Sequence, residues 1–111
     1  MPGIAITASG FVRDRRTGLY AQQVTVQNAT NAPIAGPVNL VLDSLSANAT
    51  LTNATGNTVN NPPLNSPYIV VPGTGSGMAV GASATVTLRF SNPLNQAINF
   101  ASRVVLGPAT P

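Results

Sequence analysis

Two aspartates, Asp14 and Asp43, are the only carboxylate side chains in this 111-residue sequence, and Cys, His, Lys, Glu and Trp are absent altogether. A pair of acids is the minimum for glycoside hydrolysis, one to protonate the leaving oxygen and one to attack or to activate water. These two stand in separate turn-like contexts, so only folding could bring them together. Without Cys or His there is no thiolate nucleophile, no imidazole base, no Ser-His-Asp triad and no usual transition-metal ligand set. Without Lys there is no Schiff base and no phosphate-gripping P-loop lysine. A calcium site needs several oxygen ligands with charge among them, and two aspartates among Asn-rich loops supply little. The sequence therefore reads as non-enzymatic, with no catalytic, cofactor-binding or metal-binding residues.

The formal net charge is +3, from five Arg against two Asp, and charged residues make up 6% of the chain. An ordinary globular domain carries roughly 25%. Arg13, Arg15 and Arg16 cluster, but nucleic-acid-binding domains spread many more cations over a face and add aromatics for stacking. The cluster reads as a solvated hairpin tip, and nucleic acid is not an expected partner. No apolar run approaches the length of a membrane span. The opening MPGIAITASG lacks the basic region and long apolar stretch of a signal peptide, which is consistent with a signal already removed. Twelve Thr, eight Ser and twelve Asn, abundant Gly and Pro, and no Lys or Glu point to an extracellular or cell-surface location.

The elements that position these residues are strands. Gly, Pro, Asn and β-branched residues recur too often for a helical apolar stripe to continue. In ASATVTLRFSN, Ala84, Val86, Leu88 and Phe90 alternate with Thr85, Thr87, Arg89 and Ser91, the period of two that gives a strand one buried and one wet face. LYAQQVTVQN is its expected partner, with Tyr20, Val24 and Val26 turned inward. RDRRTG between them and the first strand, roughly Ile4 to Val12, reads as a tight hairpin, Asp14 capping the turn and Gly18 supplying positive φ. VNLVLD sends Val38, Leu40 and Leu42 inward, and ATLTN and PYIVVP are brief strands. TGNTVNNPPLNSP is a loop, too rich in Asn and Pro for a central strand. MAVGAS is a turn with Gly81 in the left-handed position, INFASRVVL is the last strand, and GPATP, residues 107–111, is a tail. About seven short strands separated by turn signals predict a single all-β domain over residues 1–111, an antiparallel β-sandwich.

VTVQNATNAPIAGPVNLVL followed by MAVGASATVTLRF resembles the immunoglobulin-like and fibronectin-III-like modules of bacterial secreted and cell-surface proteins. In such modules a strand ending in Asn precedes a turn, and an apolar residue three positions before a Gly, here Met78 and Gly81, introduces a strand of the form T-V-T-L-x-F. The resemblance spans about Tyr20 to Leu106. It implies an immunoglobulin-like topology and a structural or binding role, with no catalytic set attached. The buried Trp and the Cys pair of antibody domains are missing here.

Two kinds of interaction residue remain. Sheets commonly guard exposed edge strands with Lys, because unpaired backbone groups invite strand addition from a neighbour. This chain has none, so residues 1–12 form either a first strand or a docking strand, with Ile4, Ile6 and Ala8 available to pair with a neighbouring copy. Val105 is the expected outward apolar contact. A homo-oligomer or polymer built through sheet edges, in a filament or surface layer, is the leading reading. The alternative is a carbohydrate-binding or adhesin accessory domain, for which Tyr68 in a Pro-flanked segment is the candidate glycan contact, with Phe11 beside it. Asn28, Asn48 and Asn53 begin N-glycosylation sequons and would carry glycans if the chain passed a glycosylating route.

Overall fold

The computed structural model describes residues 3–111, and they fold as two antiparallel sheets with no helix. The strands in chain order are β1 (Ile4–Ala8), β2 (Val12–Arg13), β3 (Tyr20–Asn28), β4 (Val38–Asp43), β5 (Thr50–Leu51), β6 (Gly56–Asn57), β7 (Pro67–Val70), β8 (Ser83–Ser91) and β9 (Ala101–Leu106). Sheet I runs β1-β3-β8-β5, with β2 also on β3, and sheet II runs β6-β7-β4-β9. The surplus over the expected seven strands lies in two two-residue pieces, β2 and β6. Their short pairings interrupt segments that read from sequence as turn, loop or continuous strand.

The pairing that dominates sheet I is the one the alternating patterns predict. β3 and β8 pair over eight residues, setting Val24 opposite Val86 and Gln22 opposite Leu88. A period of two then turns Val24, Val26, Val86, Leu88 and Phe90 into one interior, where all five are buried. From sheet II, β4 contributes Val38, Leu40 and Leu42, and β7 and β9 contribute Ile69 and Val104. Ile98, Phe100 and Leu106 are half-buried against the same core. Phe90 sits between two rings, edge-on to Phe11 at 5.8 Å and stacked with Phe100 at 5.9 Å. Met78, which reads as part of a turn, is also buried in this core.

The edge of sheet I is one interrupted strand. Ala8 faces Val24 and Val12 faces Ala21, so Ser9, Gly10 and Phe11 oppose only Gln22 and Gln23. That extra residue is a β-bulge. It is stitched by Ser9 N–H to the Gln23 carbonyl at 2.8 Å and by Gln22 Nε2 to the Ser9 carbonyl at 2.9 Å. The β2–β3 hairpin closes as expected: Asp14 Oδ1 accepts from Arg16 N–H at 2.9 Å, and Gly18 has φ +74°.

The end of β3 and the turn that precedes β8 meet at one corner. Asn28, fully buried at the end of β3, donates through Nδ2 to the carbonyls of Ala32 and Met78, and its own carbonyl accepts from Gly81 N–H at 2.9 Å. Ile34 and Met78 exchange backbone hydrogen bonds beside it. Backbone crosses backbone so closely here that a Cβ on Gly36 would lie 1.9 Å from the Thr74 carbonyl oxygen, which only glycine permits.

Candidate functional site

The two aspartates are not brought together. Asp14 caps the hairpin on sheet I, whereas Asp43 ends β4 on sheet II. Asp43 Oδ2 accepts from Arg103 Nε at 2.6 Å, Oδ1 accepts from the Ser66 hydroxyl at 2.6 Å, and the Arg103 guanidinium donates onward to the carbonyls of Asn61 and Pro63. Burial pushes the Asp43 carboxyl up, but the hydrogen bonds from Arg103 and Ser66 and the Arg103 charge outweigh it and leave the group below its ordinary value of 3.8. Every strong acceptor site of Asp43 is thus turned toward the fold itself. Among the described residues no pocket occurs, and no group of three or more metal-ligating side chains.

This ion pair anchors a cover over the outer face of sheet II. Asn39, Val41 and Asp43 alternate away from the core, yet Asn39 and Val41 are buried, Val41 completely. Segment 58–66 and the chain end lie over them. Asn60 and Asn61 N–H both donate to the Pro111 carbonyl oxygen, at 2.8 and 2.7 Å, joined by Asn61 Nδ2 at 2.9 Å, while Asn60 Nδ2 donates to the Thr110 carbonyl. Residues 107–111, the tail, are therefore fixed as a strap to the 58–66 loop. Thr58 and Ser66, at the two ends of that loop, are buried and joined by a hydrogen bond from Ser66 N–H to the Thr58 hydroxyl oxygen.

The cover decides the fate of two expected contact residues. Tyr68 lies opposite Val41 and Gly56, and its ring stands 3.2 Å from where a Gly56 Cβ would be. At 9% exposure Tyr68, the candidate glycan contact, is buried. Val105, opposite Asn39 on the same outer face, is half-buried, and its carbonyl accepts from Asn39 Nδ2.

Ile4, Ile6 and Ala8 lie on β1, paired with the chain's own β3 opposite Asn28, Val26 and Val24. Ile4 and Ile6 pack against the core, so β1 is the first strand of sheet I. Met1 and Pro2, the start of the 1–12 segment, lie outside the described residues. The sequon asparagines are likewise engaged. Asn28 Nδ2 serves the corner described above, Asn48 Nδ2 donates to Asn92 Oδ1 and the Ala97 carbonyl, and Asn53 Nδ2 donates to the Thr87 carbonyl at 2.8 Å. A glycan at any of these nitrogens would displace hydrogen bonds that close loops onto strands.

What the fold leaves open is backbone. Gly107 N–H donates to the Pro37 carbonyl at 3.0 Å, which fixes the ladder phase: Ala101, Arg103 and Val105 bond to β4. Ser102, Val104 and Leu106 therefore aim their N–H and C=O groups away from the sheet. The same reasoning from Ala29 N–H to the Gly3 carbonyl turns the groups of Ile4, Ile6 and Ala8 outward on β1. The two edges differ in protection. β1 is short and broken by the bulge, whereas β9 runs six residues without Pro or bulge, and its one charged side chain is held by Asp43. Sequence reading misses β9 as the open edge because INFASRVVL has the apolar pattern of any half-buried strand. Comparison with protein-family models, with curated proteins and with solved structures finds no match to this chain.

Proposed function

We propose that this domain is a non-catalytic extracellular or cell-surface structural module that makes repeated protein-protein contacts by strand addition. The observation that carries the reading is the β9 edge: three residues with outward backbone groups, no bulge, no proline and no free charge to repel a neighbouring strand. A second copy is the favoured partner, because a chain with 6% charged residues offers little repulsion between copies. An immunoglobulin-like or fibronectin-III-like topology belongs to the same proposal. Its support is the Asn28 clamp on the turn from Met78 to Gly81, which joins the two halves of the resembling motif. The location rests on composition, rich in Thr, Ser and Asn and devoid of Lys and Glu.

Sedimentation equilibrium over a wide concentration range tests the proposal. Association should grow with concentration and disappear in Ser102→Pro, which deletes an outward N–H at an exposed position while leaving the β4 ladder intact. Ser102→Lys, a guard charge on the same edge, should weaken association without altering the circular dichroism spectrum. A protein that stays monomeric throughout, or that associates equally well with both substitutions, overturns it.

A further inference from the structure

The net charge of the molecule is concentrated at one end. Arg103 and Asp43 neutralise each other in their ion pair, so the formal +3 arises from Arg13, Arg15, Arg16 and Arg89 against the single carboxylate of Asp14. Arg13, Arg15 and Arg16 occupy the β2–β3 hairpin, and all three are exposed. Arg89 belongs to the same end, because β8 sets it opposite Ala21, which faces Val12 on the other side. Two strand spacings, about 10 Å, separate Val12 from Arg89 across the outer face of sheet I. Among the described residues none of these four arginines has a salt bridge.

Exposed apolar side chains gather at the same end. Val12 is 69% exposed and Leu94 65%, with Phe11 at 38%. The turn bearing Leu94 is fastened to the hairpin base by a hydrogen bond from the Tyr20 hydroxyl to Asn95 Oδ1, and Tyr20 lies opposite Arg13. Three of the six large exposed hydrophobic side chains among the described residues therefore lie toward the same end as these four arginines. Charge alone would hold a polyanion, whereas the exposed Val12 and Leu94 add an apolar contribution that a bilayer can accept. Cations flanking protruding aliphatic groups match the interface of a bilayer that carries anionic headgroups, where the charges adsorb and the apolar groups enter the headgroup boundary.

We propose that the Arg13–Arg16 hairpin, with Arg89, Val12 and Leu94, is a docking surface for an anionic lipid bilayer. Each cation near such a surface strengthens adsorption about fivefold, and the attraction is screened within a Debye length of about 10 Å at 0.1 M salt. The proposal does not depend on the strand-addition reading, since it uses the opposite property of the molecule, its charge asymmetry, and a different set of residues.

The test is co-sedimentation of the full chain with vesicles of phosphatidylcholine alone and of phosphatidylcholine mixed with phosphatidylglycerol at two to one. Binding should be confined to the anionic vesicles and fall steeply with added salt. R13Q/R15Q/R16Q should weaken it about a hundredfold, as three cations at that increment require. Val12→Ser with Leu94→Ser, both at exposed positions and checked for an unchanged melting curve, should weaken it about tenfold. Equal recovery on the two vesicle types overturns the proposal. So does a Val12→Ser/Leu94→Ser variant that binds anionic vesicles as tightly as the parent and heparin equally well, because the surface would then be a general polyanion site.

Discussion

Residues that alternate away from the core meet opposite surroundings on the two sheets. On β3 and β8 of sheet I, Gln23, Thr25, Gln27, Thr85 and Thr87 stay at least partly exposed, and Thr25 and Thr85 join hydroxyls across the strands at 3.0 Å. On β4 of sheet II, the corresponding Asn39 and Val41 are buried and Asp43 is nearly so, beneath the 58–66 loop and the strap that ends at Pro111. One sheet is therefore finished by water and the other by irregular chain. The polar groups chosen differ accordingly. Hydroxyls and amides face solvent on sheet I, while sheet II needs an apolar Val41 and an ion pair whose remaining donors reach loop carbonyls.

The sharpest way to break this comparison is to place the same charge on both outer faces. Val41→Asp should destabilise the domain by about 3 kcal/mol or more, because a carboxylate would lie buried and unpaired. Thr85→Asp should stay within about 0.5 kcal/mol, as an exposed substitution does. Urea denaturation of the two variants measures the difference, and equal losses would mean that the cover on sheet II is not formed in solution.

A smaller effect is expected at the anchor of the cover. Asp43→Asn should cost about 2 kcal/mol by removing charge-assisted hydrogen bonds with Arg103 and Ser66. Because folding lowers the Asp43 pKa, the folded state binds that proton less readily than the unfolded chain. The stabilisation is complete above the ordinary value of 3.8 and drains away as pH falls through the lowered value. Melting temperature against pH should show this acid limb in the parent and lose it in Asp43→Asn.

Asn61→Ala comes next, at about 1 kcal/mol, since it deletes one hydrogen bond to the Pro111 oxygen and leaves two backbone donors in place. Native-state hydrogen exchange should show faster exchange of the backbone amides at positions 60 and 61 in that variant with little change in β3. The smallest change is Thr85→Ala, at about 0.5 kcal/mol, the scale of one exposed cross-strand pair.

The same contrast explains what could be read from the sequence. Alternation in LYAQQVTVQN and ASATVTLRFSN carries the sheet I pairing and the inward set, because burial on one face imposes a period of two. The cover has no such signal. TGNTVNNPPLNSP and GPATP lack periodicity, and their seat is a set of amide-to-carbonyl bonds between residues fifty positions apart. The burial of Tyr68 has no local signal either, since its neighbours Val41 and Gly56 come from other strands. Val41 was the available hint, an apolar residue on the face of VNLVLD that alternation assigns to water. The charge asymmetry was half visible: the Arg13, Arg15 and Arg16 cluster stands in one stretch, but Arg89 and Leu94 join it only through strand register and the Tyr20 hydroxyl.

Asparagine amides do the work at nearly every corner of this fold, Asn28 between the sheets, Asn53 beside β8, Asn92 in the last crossover, Asn60 and Asn61 at the strap. These joints neither titrate near neutrality nor attract counterions. Joints of this kind should hold alike in fresh water and in brine, leaving the Asp43–Arg103 pair and the arginine-bearing hairpin as the places where ionic strength is felt.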